Sequence, residues 1–329
     1  MVDFTILVLK EVFASSVAST LDLLQTAARL APALHVPAPR WRVLSPQGGP
    51  VPLGAGLSVS AQRLPSRYRQ DASCWVVPGL ALANAADVQQ RLARPDALHA
   101  AGALQAHSLA GGQVAASCTG VFLLQAAGLL VGHTVTTSWW MADTLRRLTP
   151  GCRVDADLMV AQSGSVVTAG AALAQTDLML HLLRTRCSLA LADRVARVLL
   201  ISERQAQADF VVPAMLSNGN TLMLQLVKRI ESALPNPPSV ATLADELAMA
   251  PRTLARYVQA ATGKSPLALI QSVRLSRARH LLENSRLPLD QVAAHVGYAD
   301  ATALRRLTRK LTGNSPGRLR PARVAAQRS

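Results

Sequence analysis

Along the first two hundred residues, short apolar runs alternate with longer stretches whose apolar positions recur every three or four residues. Phe4–Leu9 reads as a buried strand and Ser16–Leu30 as the helix that follows it. Trp41–Ser45 is a second strand, Trp75–Gly79 a third ending in a turn, and Gln113–Ser117 a fourth. Val166–Thr168 is another, running into a long apolar helix through Leu183. Strands alternating with helices predict a mostly parallel sheet covered on both faces, with ligands at the carboxyl ends of its strands. Between Ser202 and Asn220, polar residues and Pro213 break the pattern, which marks a linker. Beyond it the pattern is helical, with one internal break at Pro235-Asn-Pro-Pro238.

This pattern divides the chain into an α/β domain over 1–201, a linker over 202–220, an all-α domain over 221–323 and a tail over 324–329. A length of 329 residues agrees with two domains. Half the residues are hydrophobic and 16% charged, which excludes a largely disordered chain; aromatics are only 3%, so the cores rest on Leu, Val and Ala. The uncharged stretch Val114–Val131 contains Ser117, Thr119, Gly120, Gln125 and Gly128, and reads as strand, turn and buried helix rather than a membrane span. Cys74, Cys118, Cys152 and Cys187 are far apart, against a zinc ribbon or disulfide scaffold. No metal and no cofactor are expected, and the start of the chain shows no signal peptide, so the expected compartment is the cytoplasm.

Charge sharpens the division. The net charge is +15. Residues 1–217 carry 17 basic against 13 acidic side chains, whereas residues 218–329 carry 17 against 6. A small basic module joined to a nearly neutral one points to a polyanion.

The basic module also matches itself. Leu243–Thr253 lies over Val292–Thr302, and Thr262-Gly-Lys-Ser-Pro266 over Thr312-Gly-Asn-Ser-Pro316. Each copy reads as helix, turn, helix. Gly297 suits a turn position of positive φ, and Ala248 fills the matching place in the first copy. Leu254 and Val258 point inward in the first copy, as do Leu304, Leu307 and Leu311 in the second. The uninterrupted stretch Leu267–Glu283 spans roughly 25 Å as a helix at about 1.5 Å per residue. That spacing suits two reading helices about one DNA turn apart. The outward Arg252 and Arg256 of the first copy, and Arg305, Arg306, Arg309 and Lys310 of the second, are therefore expected to face double-stranded operator DNA.

Residues 218–323 resemble the double helix-turn-helix domain of AraC-type transcription regulators. The matching pieces are Ala250–Arg256, Thr262–Pro266, Gly297-Tyr298 and Thr312–Pro316. The resemblance places base-reading positions at Arg252, Ala255 and Arg256, and at Ala301, Thr302, Arg305 and Arg306.

In the front domain, Val114-Ala-Ala-Ser-Cys118-Thr-Gly reads as strand, sharp turn and helix start, a place where the helix dipole favours a thiolate. An inert packed cysteine is the equal alternative. The segment resembles the nucleophile elbow of the DJ-1/PfpI superfamily. Val76-Val-Pro-Gly79, Gly128–Thr137 and Thr168-Ala-Gly-Ala-Ala match it further. This implies a flavodoxin-like, class I glutamine amidotransferase-like sheet and, with the second domain, a GlxA-like regulator. Hydrolytic members carry His after the cysteine, where this chain has Thr119; an acidic residue is replaced by Ser16, and a His of the regulator group by Ser138. His107, at a helix cap or exposed, His133 in a turn and His181 in an apolar helix have no argued place beside Cys118. The expectation is thus a sensing domain with no catalytic residues, its pocket lined by Gly79, Leu80, Cys118, Thr119, Ser138 and Trp139. The resemblance implies a small amine, amino acid or betaine-like effector; a homodimer is expected because a two-fold protein engages paired sites, RNA polymerase is a candidate partner, and both an activator and a repressor fit the sequence. The alternative is a cysteine hydrolase or amidase with a DNA anchor.

Overall fold

A computed structural model describes residues 3–65, 71–202, 207, 221–262, 264–285, 287–312 and 315–316. The chain divides into two compact units, 1–207 and 208–329.

In the first unit the elements follow in order. They are β1 (Phe4–Leu7), α1 (Ala14–Leu30), β2 (Trp41–Ser45), β3 (Gly49–Pro52), β4 (Ser58–Arg63), β5 (Cys74–Val77), α2 (Ala85–Leu92) and α3 (Pro95–Leu109). Then come β6 (Val114–Ser117), α4 (Val121–Ala126), β7 (Thr134–Val135), α5 (Ala142–Leu148), β8 (Arg153–Val154), β9 (Val160–Ser163), β10 (Val166–Ala169), α6 (Gln175–Arg186) and α7 (Leu189–Val198). The main sheet runs β3-β4-β2-β1-β5-β6-β10-β9; β7 and β8 pair separately. Its central strands β2-β1-β5-β6-β10 are parallel and follow the flavodoxin-like order.

The central strands are mostly apolar because both faces are covered. β1, β5, β6 and β10 are buried at every residue. Leu23, Leu24, Phe122, Leu123, Leu178 and Leu182 from the flanking helices complete the core. The uncharged stretch from Val114 is β6, a tight turn over Cys118–Gly120, and α4. Among the described residues no helix is long and apolar enough to cross a membrane.

The apolar pattern does not reveal β3, β4 or β9. β3 carries Pro50 and Pro52 and sits antiparallel at one edge of the sheet; β9 is a short, partly polar strand antiparallel to β10 at the other. Edge strands need only one apolar face, so they lack the continuous runs of the central ones.

The second unit contains α8 (Thr221–Ser232), α9 (Val240–Glu246), α10 (Pro251–Thr262), α11 (Pro266–Asn284), α12 (Leu289–His295) and α13 (Ala301–Thr312). Ser239 caps α9 by accepting from the Thr242 amide at 3.0 Å, and Ser265 caps α11 through the Ala268 amide at 3.2 Å. The Pro235–Pro238 break separates α8 from α9. Leu304 packs with Ala278, Leu282, Val292, Ala293 and Val296 in the core of the second repeat.

Residues 203–206 and 208–220 of the expected linker, and the 324–329 tail, lie outside the described residues. Gln207 is described, and it belongs to the first unit: its side chain is buried, where the sequence pattern placed it in a linker.

Candidate nucleic-acid interface and sensing site

The two repeats form two helix-turn-helix pairs, α9–α10 and α12–α13, joined by α11. The turn residues are Ala248, with φ 51°, and Gly297, with φ 81°. At Gly297 two demands coincide: a Cβ there would also lie 1.9 Å from the Pro235 carbonyl oxygen. In α10, Leu254 and Val258 are fully buried while Arg252, Thr253 and Arg256 are exposed. In α13, Leu304 and Leu307 are buried while Thr302, Arg305, Arg306 and Arg309 are exposed. The side chains of Lys310 and Leu311 lie outside the described set.

Each second helix is thus held by its leucine back and presents its cations to solvent. Asp300 caps α13 by accepting from the Ala303 amide at 2.8 Å, and Asp290 accepts from the Ala301 amide at 3.2 Å. Thr302, Arg305, Arg306 and Arg309, with Ser315 and Pro316, line an open groove of about 490 Å³. Among the described residues none of Arg252, Arg256, Arg305 and Arg306 forms an ion pair with a carboxylate, so their guanidinium forks are available. One expected position is corrected. Ala301, at the start of α13, is only 5% exposed, so its methyl is not presented to a base.

In the first unit the elbow forms at the carboxyl edge of the sheet. Cys118 adopts φ 52°, and its amide donates to the Gly170 carbonyl at 2.6 Å. The turn presses so closely on β5 that a Cβ at Gly120 would lie 2.6 Å from the Pro78 carbonyl oxygen. The six residues expected to line a pocket, Gly79, Leu80, Cys118, Thr119, Ser138 and Trp139, are all buried. Several gather on the sulfur. Cys118 Sγ and Ser138 Oγ share a hydrogen bond of 2.9 Å, Thr119 Oγ1 lies 3.9 Å from Sγ, and a Cβ at Gly79 would lie 3.0 Å from Cys118 Cβ. Thr137 Oγ1 donates to the Cys118 carbonyl at 2.7 Å. Trp139 is 7% exposed and packs edge-on against Trp140.

The electrostatics favour the inert alternative for this cysteine. Burial pushes the Cys118 thiol up, and the hydrogen bonds from Ser138 and Thr119 only partly oppose it. No histidine bonds its sulfur among the described residues. His107, expected at a cap or exposed, is wholly buried and stacks on Trp75 at 4.9 Å. His181, expected in the core, is half-exposed and bonded to Gln162 Oε1 at 2.7 Å. His133 shares a hydrogen bond of 3.1 Å with Ser163 Oγ.

Gln207 is a buried residue near the elbow that the sequence pattern placed in the linker. Its carboxamide sits among Thr136, Thr137, Ala156, Leu158 and Ala171, at the same edge of the sheet as the elbow. Its polar neighbourhood in the sequence carried no signal for this.

Comparison with known proteins agrees with both halves. A model described as a helix-turn-helix domain matches residues 243–322. Over 280 residues the chain is 26% identical to the HTH-type transcriptional regulator GlxA of Rhizobium meliloti (strain 1021), covering 84% of this chain and 83% of that protein. The chain is thus similar to GlxA-like regulators of the AraC type. It is also 25% identical over 291 residues to the HTH-type transcriptional regulator CdhR of Pseudomonas aeruginosa, covering 88% of this chain and 83% of that one. An AraC family transcriptional regulator from Pseudomonas putida superposes with a TM-score of 0.51 at 20% identity, covering 60% of this chain and all of that chain. That likeness is one of fold.

Proposed function

We propose that this regulator binds operator DNA through Arg252, Thr253, Arg256, Thr302, Arg305 and Arg306, and that its α/β unit senses a small metabolite rather than catalysing a reaction. The observation that carries the proposal is the division of α10 and α13 into a buried leucine face and an exposed arginine face, repeated in both copies. Arginine makes paired hydrogen bonds to guanine in the major groove, and two such helices in one chain read two adjacent groove segments. The buried thiol of Cys118, pushed up and bonded to Ser138, supports sensing over hydrolysis. The same reading makes the regulator a cytoplasmic homodimer that activates transcription by contacting RNA polymerase. The effector remains the broad class of small amines, amino acids or betaine-like molecules.

The test is genome-wide DNA binding by the intact protein beside Arg256→Ala/Arg306→Ala. Sharp sites that vanish in the double variant support the reading. Diffuse binding that the variant does not alter overturns it and reduces the basic unit to an electrostatic anchor.

A further inference from the structure

The most densely satisfied polar group outside the elbow is the Gln207 carboxamide. Its Nε2 donates to Thr136 Oγ1 at 3.1 Å, Thr137 O at 2.9 Å, Ala156 O at 3.1 Å and Leu158 O at 3.1 Å. Its Oε1 accepts from the Ala171 amide at 3.1 Å. Four oxygens therefore surround one nitrogen, yet a carboxamide nitrogen has only two hydrogens to give. The Thr136 hydroxyl hydrogen is already committed to Leu158 O at 2.9 Å, so Thr136 Oγ1 turns a lone pair toward the cage. The carboxamide is held closely in place: a Cβ on Gly170 would lie 2.2 Å from Gln207 Cδ. An ammonium group offers three N–H donors and a positive charge to the same oxygens, and charge-assisted hydrogen bonds are about twice as strong as neutral ones.

We infer that this cage of Thr136, Thr137, Ala156 and Leu158 oxygens is a primary-amine site, filled by Gln207 in the structure, and that a primary amine competes with Gln207 for it. The site adjoins the elbow through two direct links. Thr137 donates to the Cys118 carbonyl, and the Cys118 amide donates to Gly170, the residue against which Gln207 lies. The inference rests on the reading of the first unit as a metabolite sensor and narrows its effector to amines that keep N–H hydrogens.

The experiment is calorimetry on the full-length protein with methylammonium chloride, and with tetramethylammonium chloride as the cation that has no N–H. Gln207→Ala removes the competitor and binds methylammonium at least tenfold more tightly than the wild type. Gln207→Glu, of the same shape, turns a carboxylate oxygen on the cage and gives the same gain, so the test survives if one variant fails to fold. Adding Thr136→Val to either variant reverses most of the gain, and tetramethylammonium binds none of them. Variants that bind methylammonium no better than wild type, or bind both cations alike, overturn the inference. Sequence-specific DNA binding is measured on the same preparations. Specific DNA binding without methylammonium binding overturns the amine site alone. Methylammonium binding that leaves DNA affinity unchanged instead overturns the sensing reading and keeps the site.

Discussion

The two turns of the second unit offer a reciprocal test, because the repeat places glycine in one copy and alanine in the other. Both positions hold positive φ, 51° at Ala248 and 81° at Gly297. A side chain in the left-handed region costs roughly 1–2 kcal/mol. Replacing alanine by glycine recovers that but adds unfolded-state freedom worth roughly 0.5–1 kcal/mol. Ala248→Gly should therefore leave stability unchanged or raise it by up to about 1.5 kcal/mol. Gly297→Ala meets the left-handed cost and also places a Cβ 1.9 Å from the Pro235 carbonyl oxygen, a backbone atom that cannot swing aside. Its loss should exceed about 2 kcal/mol, which for a unit of this size lowers Tm by about 8 °C or more. Trp41, Trp75, Trp139 and Trp140 all lie in the first unit, so tryptophan fluorescence reports that unit alone while far-ultraviolet circular dichroism reports both. Gly297→Ala should lower a helical transition in the dichroism and leave the fluorescence midpoint in place. A Gly297→Ala protein as stable as wild type, or an Ala248→Gly loss equal to that of Gly297→Ala, would refute the reasoning.

Other expectations follow from the same geometry. Arg256→Ala and Arg306→Ala should each weaken binding at a specific site by ~1–3 kcal/mol, measured by gel shift at fixed salt, with little change on random DNA. Leu304→Ala empties a fully buried position beside Leu282 and Val292 and should cost about 2–5 kcal/mol in urea denaturation, against no change from an exposed alanine substitution. Cys118 should resist iodoacetamide at neutral pH in the folded protein and react quickly in urea, because burial holds its thiol protonated above the ordinary range. His107 titrates below its ordinary 6.5, chiefly through burial, so the unfolded chain binds a proton before the folded one does. Stability should be full above about pH 6.5 and decline below it, and His107→Phe should flatten that decline while keeping the stack on Trp75.

The sequence was most legible where burial is complete. β1, β5, β6 and β10 announce themselves as short, mainly apolar runs, and the leucine backs of α10 and α13 follow the helical period. The exposed arginines could be assigned because the period leaves them no inward direction. Legibility fails where tertiary contact decides. The His107 ring is buried by a stack on Trp75, thirty-two positions earlier in the chain, which no local pattern encodes. Ala301 looks like an exposed helix start but is buried. Gln207 sits in a polar stretch, and its partners at 136–137, 156–158 and 171 are brought to it only by the sheet. The closeness of Ser138 to Cys118, twenty residues apart, was implied by the resemblance to the elbow and not by spacing.

The prolines of β3 reach beyond that strand. An open sheet edge offers a row of amide donors and carbonyl acceptors on which a second molecule can extend it without limit. With Pro50 and Pro52, half of the four residues of this edge have no amide hydrogen, and the strand is spent on pairing inward with β4. A neighbouring chain cannot zip onto that side. Sheet extension through this edge is therefore blocked, and any self-association of the α/β unit is directed to its other surfaces.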